Sequence, residues 1–340
     1  MTIASLPSAE AAISLEGVSR QFDGLWAVRD LTMDVPPGSI LGLIGPSGSG
    51  KTTTIRMLTG TLMPTAGTLR VLGQEPSSFS IRDRERIAYM PQSFSLYPDL
   101  TAHENVGFVA ALYGFSWFGR EKRIKRALGM VDMWDKRNRM ARNLSGGEQR
   151  RLDLACAIVH EPSVLFVDEP TAGLDPMLRQ SIWQELRAMR DEGRTMLITT
   201  QYVGEADYCD NVALLADGEL VTLAPPEGLR RSVFGGDVIH VEADRAVEPG
   251  VLVGVAEVTS VRQPAPHQLE VVVDDAGAAS PRIAEALKAA GIGVQLLQEY
   301  QPSFDEVFTQ LVSRQREANG NAANATGNGN GNRKEQTPDA

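Results

Sequence analysis

Short aliphatic runs alternate with longer stretches of helical periodicity over the first two thirds of the chain. SILGLI at 39–44 leads through a glycine-rich turn into a helix that starts at Lys51, and SVLFVDE at 163–169 and TMLITT at 195–200 repeat the apolar pattern. Runs this short, rich in Val, Ile and Leu and bounded by glycine or charged loops, predict strands buried on both faces of a largely parallel sheet. Leu152, Ala155, Cys156 and Val159 fall at i, i+3, i+4 and i+7, the apolar stripe of a packed helix. VALLADGELVTL at 212–223 sets Asp217-Gly218 between two β-rich runs, a hairpin signal. These elements predict an α/β core over residues 13–230.

The pattern changes near Asp237. VIHVEA, AEVTSVR and QLEVVVD read as three strands, PRIAEALKAAG as a helix, GVQLLQEY as a fourth strand, and SFDEVFTQLV as a closing helix with Ser303 at its N-cap. A small α+β domain over 237–315 is the expectation. Residues 1–12 read as a flexible start. The Asn, Gly and Ala-rich tract 319–340 has little to bury and reads as disordered.

The chain's 340 residues suit about two domains at roughly 150 residues each. With 33 basic and 43 acidic residues the net charge is −10, which disfavours a surface built to embrace nucleic acid. Cys156 and Cys209 lie far apart with no CxxC spacing, so neither a disulfide framework nor a cysteine zinc site is expected, and a reducing compartment fits. No apolar run approaches the roughly 18 residues that a membrane span needs, and the first residues lack the pattern of a secretory signal. The polypeptide is therefore expected neither to cross a membrane nor to be exported.

The sharpest chemical feature is GPSGSGKT, Gly45–Pro46–Ser47–Gly48–Ser49–Gly50–Lys51–Thr52, which fits G-x-x-x-x-G-K-[ST] directly after a strand and at the start of a helix. Its glycines allow a tight turn whose N–H groups face a β-phosphate. Lys51 reaches the β/γ oxygens, and Thr52 offers a hydroxyl to Mg²⁺. Asp168 and Glu169 end the apolar strand VLFVDEP, placed to hold Mg²⁺ and to polarise an attacking water. LSGGEQRR at 144–151 precedes the striped helix, so Ser145, Gly146 and Gly147 form a second anion site at a helix N-terminus.

This combination resembles the ATP-binding subunits of ABC transporters over about residues 13–230. The resemblance implies a P-loop NTPase core with a helical subdomain at about 93–150. It also implies that the LSGG segment of one subunit completes the ATP site of a second, in a head-to-tail pair. Phe22 in VSRQFDG resembles the aromatic that stacks on adenine, with Trp26 as the alternative. Thr53 belongs with Lys51 and Thr52 to the nucleotide-binding helix start, and Gln92 in AYMPQ resembles the glutamine that touches Mg²⁺ and the attacking water. The segment 93–108 resembles the lead-in to the transmembrane partner. Asp175 in AGLDP resembles the aspartate that lines the interface between the two nucleotide-binding subunits.

One position departs from that pattern. Where the family usually carries a histidine, this chain has Gln201, whose amide can donate a hydrogen bond to a γ-phosphate but cannot carry positive charge near neutral pH. Glu169 is then expected to remain the general base, with Gln201 positioning phosphate and water. The C-terminal EYQPSFDEVFTQLV resembles the extension on subunits of daunorubicin-type drug exporters. The resemblance thus implies an ATP-hydrolysing motor subunit of an exporter of drugs or other hydrophobic compounds. It would use ATP and Mg²⁺, pair with a second copy, bind no nucleic acid, and lie on the cytoplasmic face of the membrane against a separate transmembrane permease. A soluble ATPase acting on nucleic acid or the ribosome, or a non-hydrolysing nucleotide-gated module, is the alternative. The basic run REKRIKR at 120–126 reads as a solvated helix face.

Overall fold

The computed structural model describes residues 11–313, in two compact units that divide between Pro226 and Glu227. The expected tail 319–340 and most of the expected flexible start lie outside the described residues. Ala12 is already buried and donates its N–H to the carbonyl of Val35, so order begins before residue 13.

The larger unit opens with strands that the apolar runs did not announce. β1 (Ile13–Phe22) and β2 (Leu25–Val35) pair antiparallel, and β4 (Ala66–Val71) joins β1 on its other side. Between them come β3 (Ile40–Ile44) and helix α1 (Lys51–Leu58). A short α2 (Ile81–Arg84) precedes β5 (Ile87–Met90). The helical stretch comes next as α3 (Ala102–Leu112), α4 (Trp117–Met130) and α5 (Gly146–Ile158). Thr101 and Ser145 begin α3 and α5 as capping boxes with Glu104 and Glu148, satisfying N–H groups that a helix start leaves unpaired. The expected subdomain limit at residue 150 falls inside α5, which runs unbroken to Ile158 because its buried residues continue through Leu152, Leu154, Ala155 and Ile158.

β6 (Val164–Asp168), α6 (Pro176–Asp191), β7 (Thr195–Thr200), β8 (Asn211–Ala216) and β9 (Glu219–Ala224) complete the unit. The large sheet has the order β5-β6-β7-β3-β8-β9, parallel except for the β8–β9 hairpin. Asp217 and Gly218 turn that hairpin with φ of 50° and 82°, as a two-residue primed turn demands. β3, β6 and β7 are buried along their whole length, the expected state of central parallel strands. One apolar core joins Val18, Leu31 and Leu69 of the small sheet to Leu43, Phe166, Leu197 and the α1 residues Ile55 and Leu58.

The second unit includes most of α7 (Pro226–Phe234), placing the division earlier than the expected gap between 230 and 237. Arg230 explains this: its Nε donates to the Pro302 carbonyl at 3.0 Å and its guanidinium lies 4.3 Å from the Phe304 ring centroid, so the helix is tied to the C-terminal unit. β10 (Asp237–Ala243), β11 (Val258–Ala265), β12 (Gln268–Val273) and β13 (Val294–Tyr300) form an antiparallel sheet in the order β11-β12-β10-β13. Helix α8 (Ala276–Ala289) covers one face through Ala279, Ile283 and Leu287. It begins five residues before the expected Pro281, because the Asp275 side chain caps it at the Ala278 N–H and the proline is carried inside. A final helix spans 304–313, with the Ser303 hydroxyl accepting from the Glu306 N–H. Among the described residues no helix is long and apolar enough to cross a membrane.

Candidate functional site

Register places the chemistry. Asp168 lies opposite Thr199 and Ile44 opposite Thr200, so the C-terminal ends of β6, β7 and β3 stand side by side, where ligands bind in open parallel sheets. The loop Gly45–Gly50 leaves β3 here. It is anchored at Gly45, Ser49 and Gly50, which are buried, and exposed at Pro46, Ser47 and Gly48. Gly50 has φ of 100°, and a Cβ there would sit 2.4 Å from the Ala27 carbonyl oxygen. Only glycine allows that approach.

Lys51 is buried, and its Nζ donates to the carbonyls of Gly45 at 2.7 Å and Pro46 at 3.0 Å. Its ammonium lies 3.8 Å from Glu169 Oε1. Burial pulls the Lys51 pKa below the usual lysine value, against the opposing pull of Glu169 and Asp168. Thr52 and Thr53 are half-buried in the first turn of α1, where N–H groups lack helical partners. The Thr52 hydroxyl donates to Asp168 Oδ1 at 3.3 Å. Two oxygen groups so close, beside a phosphate-binding turn, are the hard donors that suit Mg²⁺, which keeps most of its shell as water and phosphate.

Glu169 takes φ of 47°, an uncommon left-handed conformation for a residue with a side chain. The backbone is over-determined there: the Glu169 N–H donates to the carbonyl and the hydroxyl of Thr199 at 3.1 and 3.0 Å. Thr199 Oγ1 in turn donates to Asp168 Oδ1. Gln92, two residues beyond β5, donates from Nε2 to Glu169 Oε2 at 2.8 Å. Ser47 Oγ donates to Gln201 Oε1 at 3.2 Å, which sets Gln201 against the outer part of the phosphate loop. Seven expected residues thus converge: Ser47, Lys51, Thr52, Gln92, Asp168, Glu169 and Gln201.

Two further residues belong to this cluster and escaped the sequence reading. Thr199 is a plain strand residue in the pattern. Arg150, 3% exposed, looks like part of a charge run. Its guanidinium donates to five carbonyls: Pro91 and Gln92 at 2.8 and 3.2 Å, Asp168 and Glu169 at 3.0 and 2.9 Å, and Pro170 at 2.8 Å. The doubled arginine of EQRR was the only available signal, and nothing in it distinguishes a buried from a solvated side chain.

The remaining expected residues outside the phosphate loop and its helix start are not bonded into this cluster among the described residues. Ser145 caps α5, with its N–H donating to Glu148 Oε2 at 2.8 Å, and Gly147 packs so closely on α6 that a Cβ would lie 2.7 Å from Leu178 Cδ1. Asp175 caps α6 by accepting from the N–H groups of Met177 and Leu178 at 3.0 and 3.1 Å. Among the described residues no hydrogen bond or ion pair ties Ser145, Gly146, Gly147 or Asp175 to the phosphate loop. Phe22 and Trp26 flank the exposed β1–β2 turn, 42% and 44% exposed, and Arg20 lies 4.5 Å from the Phe22 ring centroid. In the basic run, Arg123 and Arg126 both pair with Glu161, at 2.7 and 3.0 Å on the surface of the helical stretch.

A family model described as "ABC transporter" matches residues 28–172, and one described as "ATP-binding protein DrrA1-3-like, C-terminal domain" matches residues 225–312. The daunorubicin/doxorubicin resistance ATP-binding protein DrrA of Streptomyces peucetius is 37% identical over 305 residues, covering 88% of this chain and 92% of that one. The linearmycin resistance ATP-binding protein LnrL of Bacillus subtilis is 28% identical over 307 residues, covering 89% and 98%. Among solved structures, cbiO1 of Clostridium perfringens, part of the ABC transporter complex cbiONQ, superposes with a TM-score of 0.61 at 28% identity over 66% of this chain and 91% of that one. A dimeric ATP-binding cassette in a post-hydrolysis state bound to ADP and Pi gives a TM-score of 0.57 at 26% identity, over 63% and 98%.

Proposed function

We propose that this chain, which belongs to the ATP-binding subunits of ABC transporters, draws its activity from the cluster around Lys51 and Glu169. It is an ATP hydrolase, the motor subunit of an exporter that works with separate transmembrane subunits. The observation that carries our assignment of roles is the joining of Lys51, Gln92 and Glu169 in one polar chain at the mouth of the sheet.

The phosphate loop and the first turn of α1 hold the phosphates through N–H groups, and the Lys51 ammonium neutralises charge on the β/γ oxygens. Thr52 and Asp168 would hold Mg²⁺ through their paired oxygens, with Gln92 as a further ligand. When bound, the ion screens the phosphate oxygens and stabilises charge in transfer. The Glu169 carboxylate accepts a proton from the attacking water while the water oxygen bonds to the γ-phosphorus and the bridging P–O bond to ADP breaks. Gln201 donates an amide hydrogen bond to the γ-phosphate from the outer side of the loop. Phe22 supplies a stacking face for adenine. Ser145, Gly146 and Gly147 contact the nucleotide of a second copy, with Asp175 at the shared interface. Ser145 and Asp175 sit at exposed helix starts, as a contact with a second copy requires, and this supports that reading.

We place the assembled subunit on the cytoplasmic face of the membrane, as a homodimer against the permease. The similarity to daunorubicin/doxorubicin and linearmycin resistance proteins supports drugs or other hydrophobic compounds as cargo. The test is to purify Glu169→Gln with ATP from solubilised membranes of its host. Hydrolysis is expected to fall about 10²- to 10⁴-fold, the usual contribution of a general base. A multi-spanning polypeptide is expected to co-purify in stoichiometric amount. Recovery of ribosomes or soluble partners alone overturns the assignment.

A further inference from the structure

Helix α5 carries two functions on faces less than two turns apart. Its N-terminus presents Ser145, Gly146 and Gly147, and its interior grips the catalytic cluster of its own chain. Arg150 lies five residues after Ser145, roughly 7.5 Å along the axis. One guanidinium there holds Gln92 and Glu169 by their carbonyls, at 3.2 and 2.9 Å, and the carbonyls next to them as well. One turn on, Asp153 accepts from the N–H and hydroxyl of Ser95 at 3.3 and 3.1 Å, a second grip on the segment after Gln92.

The bonds to Asp168, Glu169 and Pro170 are buried and the others part-buried, and losing them leaves polar groups of the interior under-satisfied, so the hub resists distortion. A rigid-body shift of α5 carries Arg150 with it, and Arg150 carries the backbone of both residues that face the attacking water. Glu169 is sensitive to such a shift because its φ of 47° depends on the bonds around it.

Resting on the dimeric reading of the site, we propose that Arg150 is the positioning residue for Glu169 and Gln92, and that through it α5 couples two ATP sites. Engagement of the α5 N-terminus by one nucleotide sets the general base at the other. Arg150 touches no substrate and acts only through the backbone it holds.

The test is Arg150→Lys, which keeps the charge but cannot span five carbonyls on two segments. Turnover and its dependence on ATP concentration are measured alongside equilibrium binding of a fluorescent ATP analogue. The expected result is a kcat loss of roughly ten- to hundredfold, the scale of a displaced catalytic group, with analogue binding within about threefold of wild type. The Hill coefficient of hydrolysis is expected to fall from above one to one. Arg150→Gln removes the buried charge while keeping two N–H donors, and decides the matter if Arg150→Lys does not fold. A variant with wild-type kcat, or with binding and turnover lost together, overturns the positioning role. A Hill coefficient of one in wild type, or one unchanged in the variant, overturns the coupling. Absence of ATP hydrolysis by wild type with its membrane partner is a different result and refutes the proposed catalytic site itself.

Discussion

Replacing Thr199 by valine removes one hydroxyl from a fully buried site and keeps the side-chain shape. That hydroxyl donates to Asp168 Oδ1 and accepts from the Glu169 N–H at 3.0 Å. A hydrogen bond to a charged group contributes ~1.5–3 kcal/mol. The Glu169 N–H keeps the Thr199 carbonyl at 3.1 Å, so its loss adds little. The new methyl group, buried, returns ~0.8 kcal/mol. Thr199→Val is therefore expected to destabilise the larger unit by ~1–2 kcal/mol, a fall of about 2–8 °C in Tm for a unit of this size. Hydrolysis should fall further than stability alone accounts for, roughly tenfold, because Asp168 keeps only the longer 3.3 Å bond from Thr52 to orient it. Thr199→Ser, which retains the hydroxyl, is expected to recover most of the activity. Urea titration and steady-state ATPase assays check both. A valine variant within ~0.5 kcal/mol of wild type and within twofold in turnover refutes the reasoning, since that range is typical of sites with no special contact.

Two further expectations concern burial and backbone. Burial drives the Asp153 pKa up from 3.8 to about 6. A folded-state pKa above the unfolded one means that the native state favours the neutral carboxyl, so this stabilisation is full below about pH 4 and is lost as the pH rises through 6, costing about 2–3 kcal/mol by pH 8. Asp153→Asn keeps an oxygen for Ser95 but cannot titrate, so it should make the fall of stability between pH 4 and 8 shallower, whatever constant cost comes from the lost pairing with Arg150 at 3.9 Å; denaturant melts that keep the wild-type slope sink the assignment. Gly50→Ala must fit a Cβ 2.4 Å from the Ala27 oxygen at φ of 100°, whereas Gly48→Ala, at φ of 82°, meets nothing within 4 Å. The first should lose nucleotide binding more than tenfold and the second should show only the strain of its conformation, ~1 kcal/mol; similar binding and Tm for the two variants contradicts the close-approach argument.

Local chemistry was legible along the chain wherever it depends on neighbours in sequence. The glycines of GPSGSGKT, the carboxylates ending VLFVDE and the Asp217-Gly218 turn each work within a few residues, and a linear reading finds them. The apolar runs at 40–44, 164–168 and 195–200 likewise declare their burial, because a central parallel strand is apolar on both faces. β1, β2 and β4 were not read, since half-buried antiparallel strands mix polar and apolar residues and show no such run. Helix α8 started early because a side-chain cap at Asp275 outweighed the signal of Pro281. The tertiary fold alone decided which of two adjacent arginines is buried: Arg150 faces the carbonyls of β6 and the Gln92 segment, while Arg151 pairs with Glu185 of α6 at 3.0 Å. The fold also recruited Thr199, whose role exists only because strand register sets it opposite Asp168. A hydrogen-bonded hub draws its partners from segments tens of residues apart, and only chain packing brings them within about 3 Å.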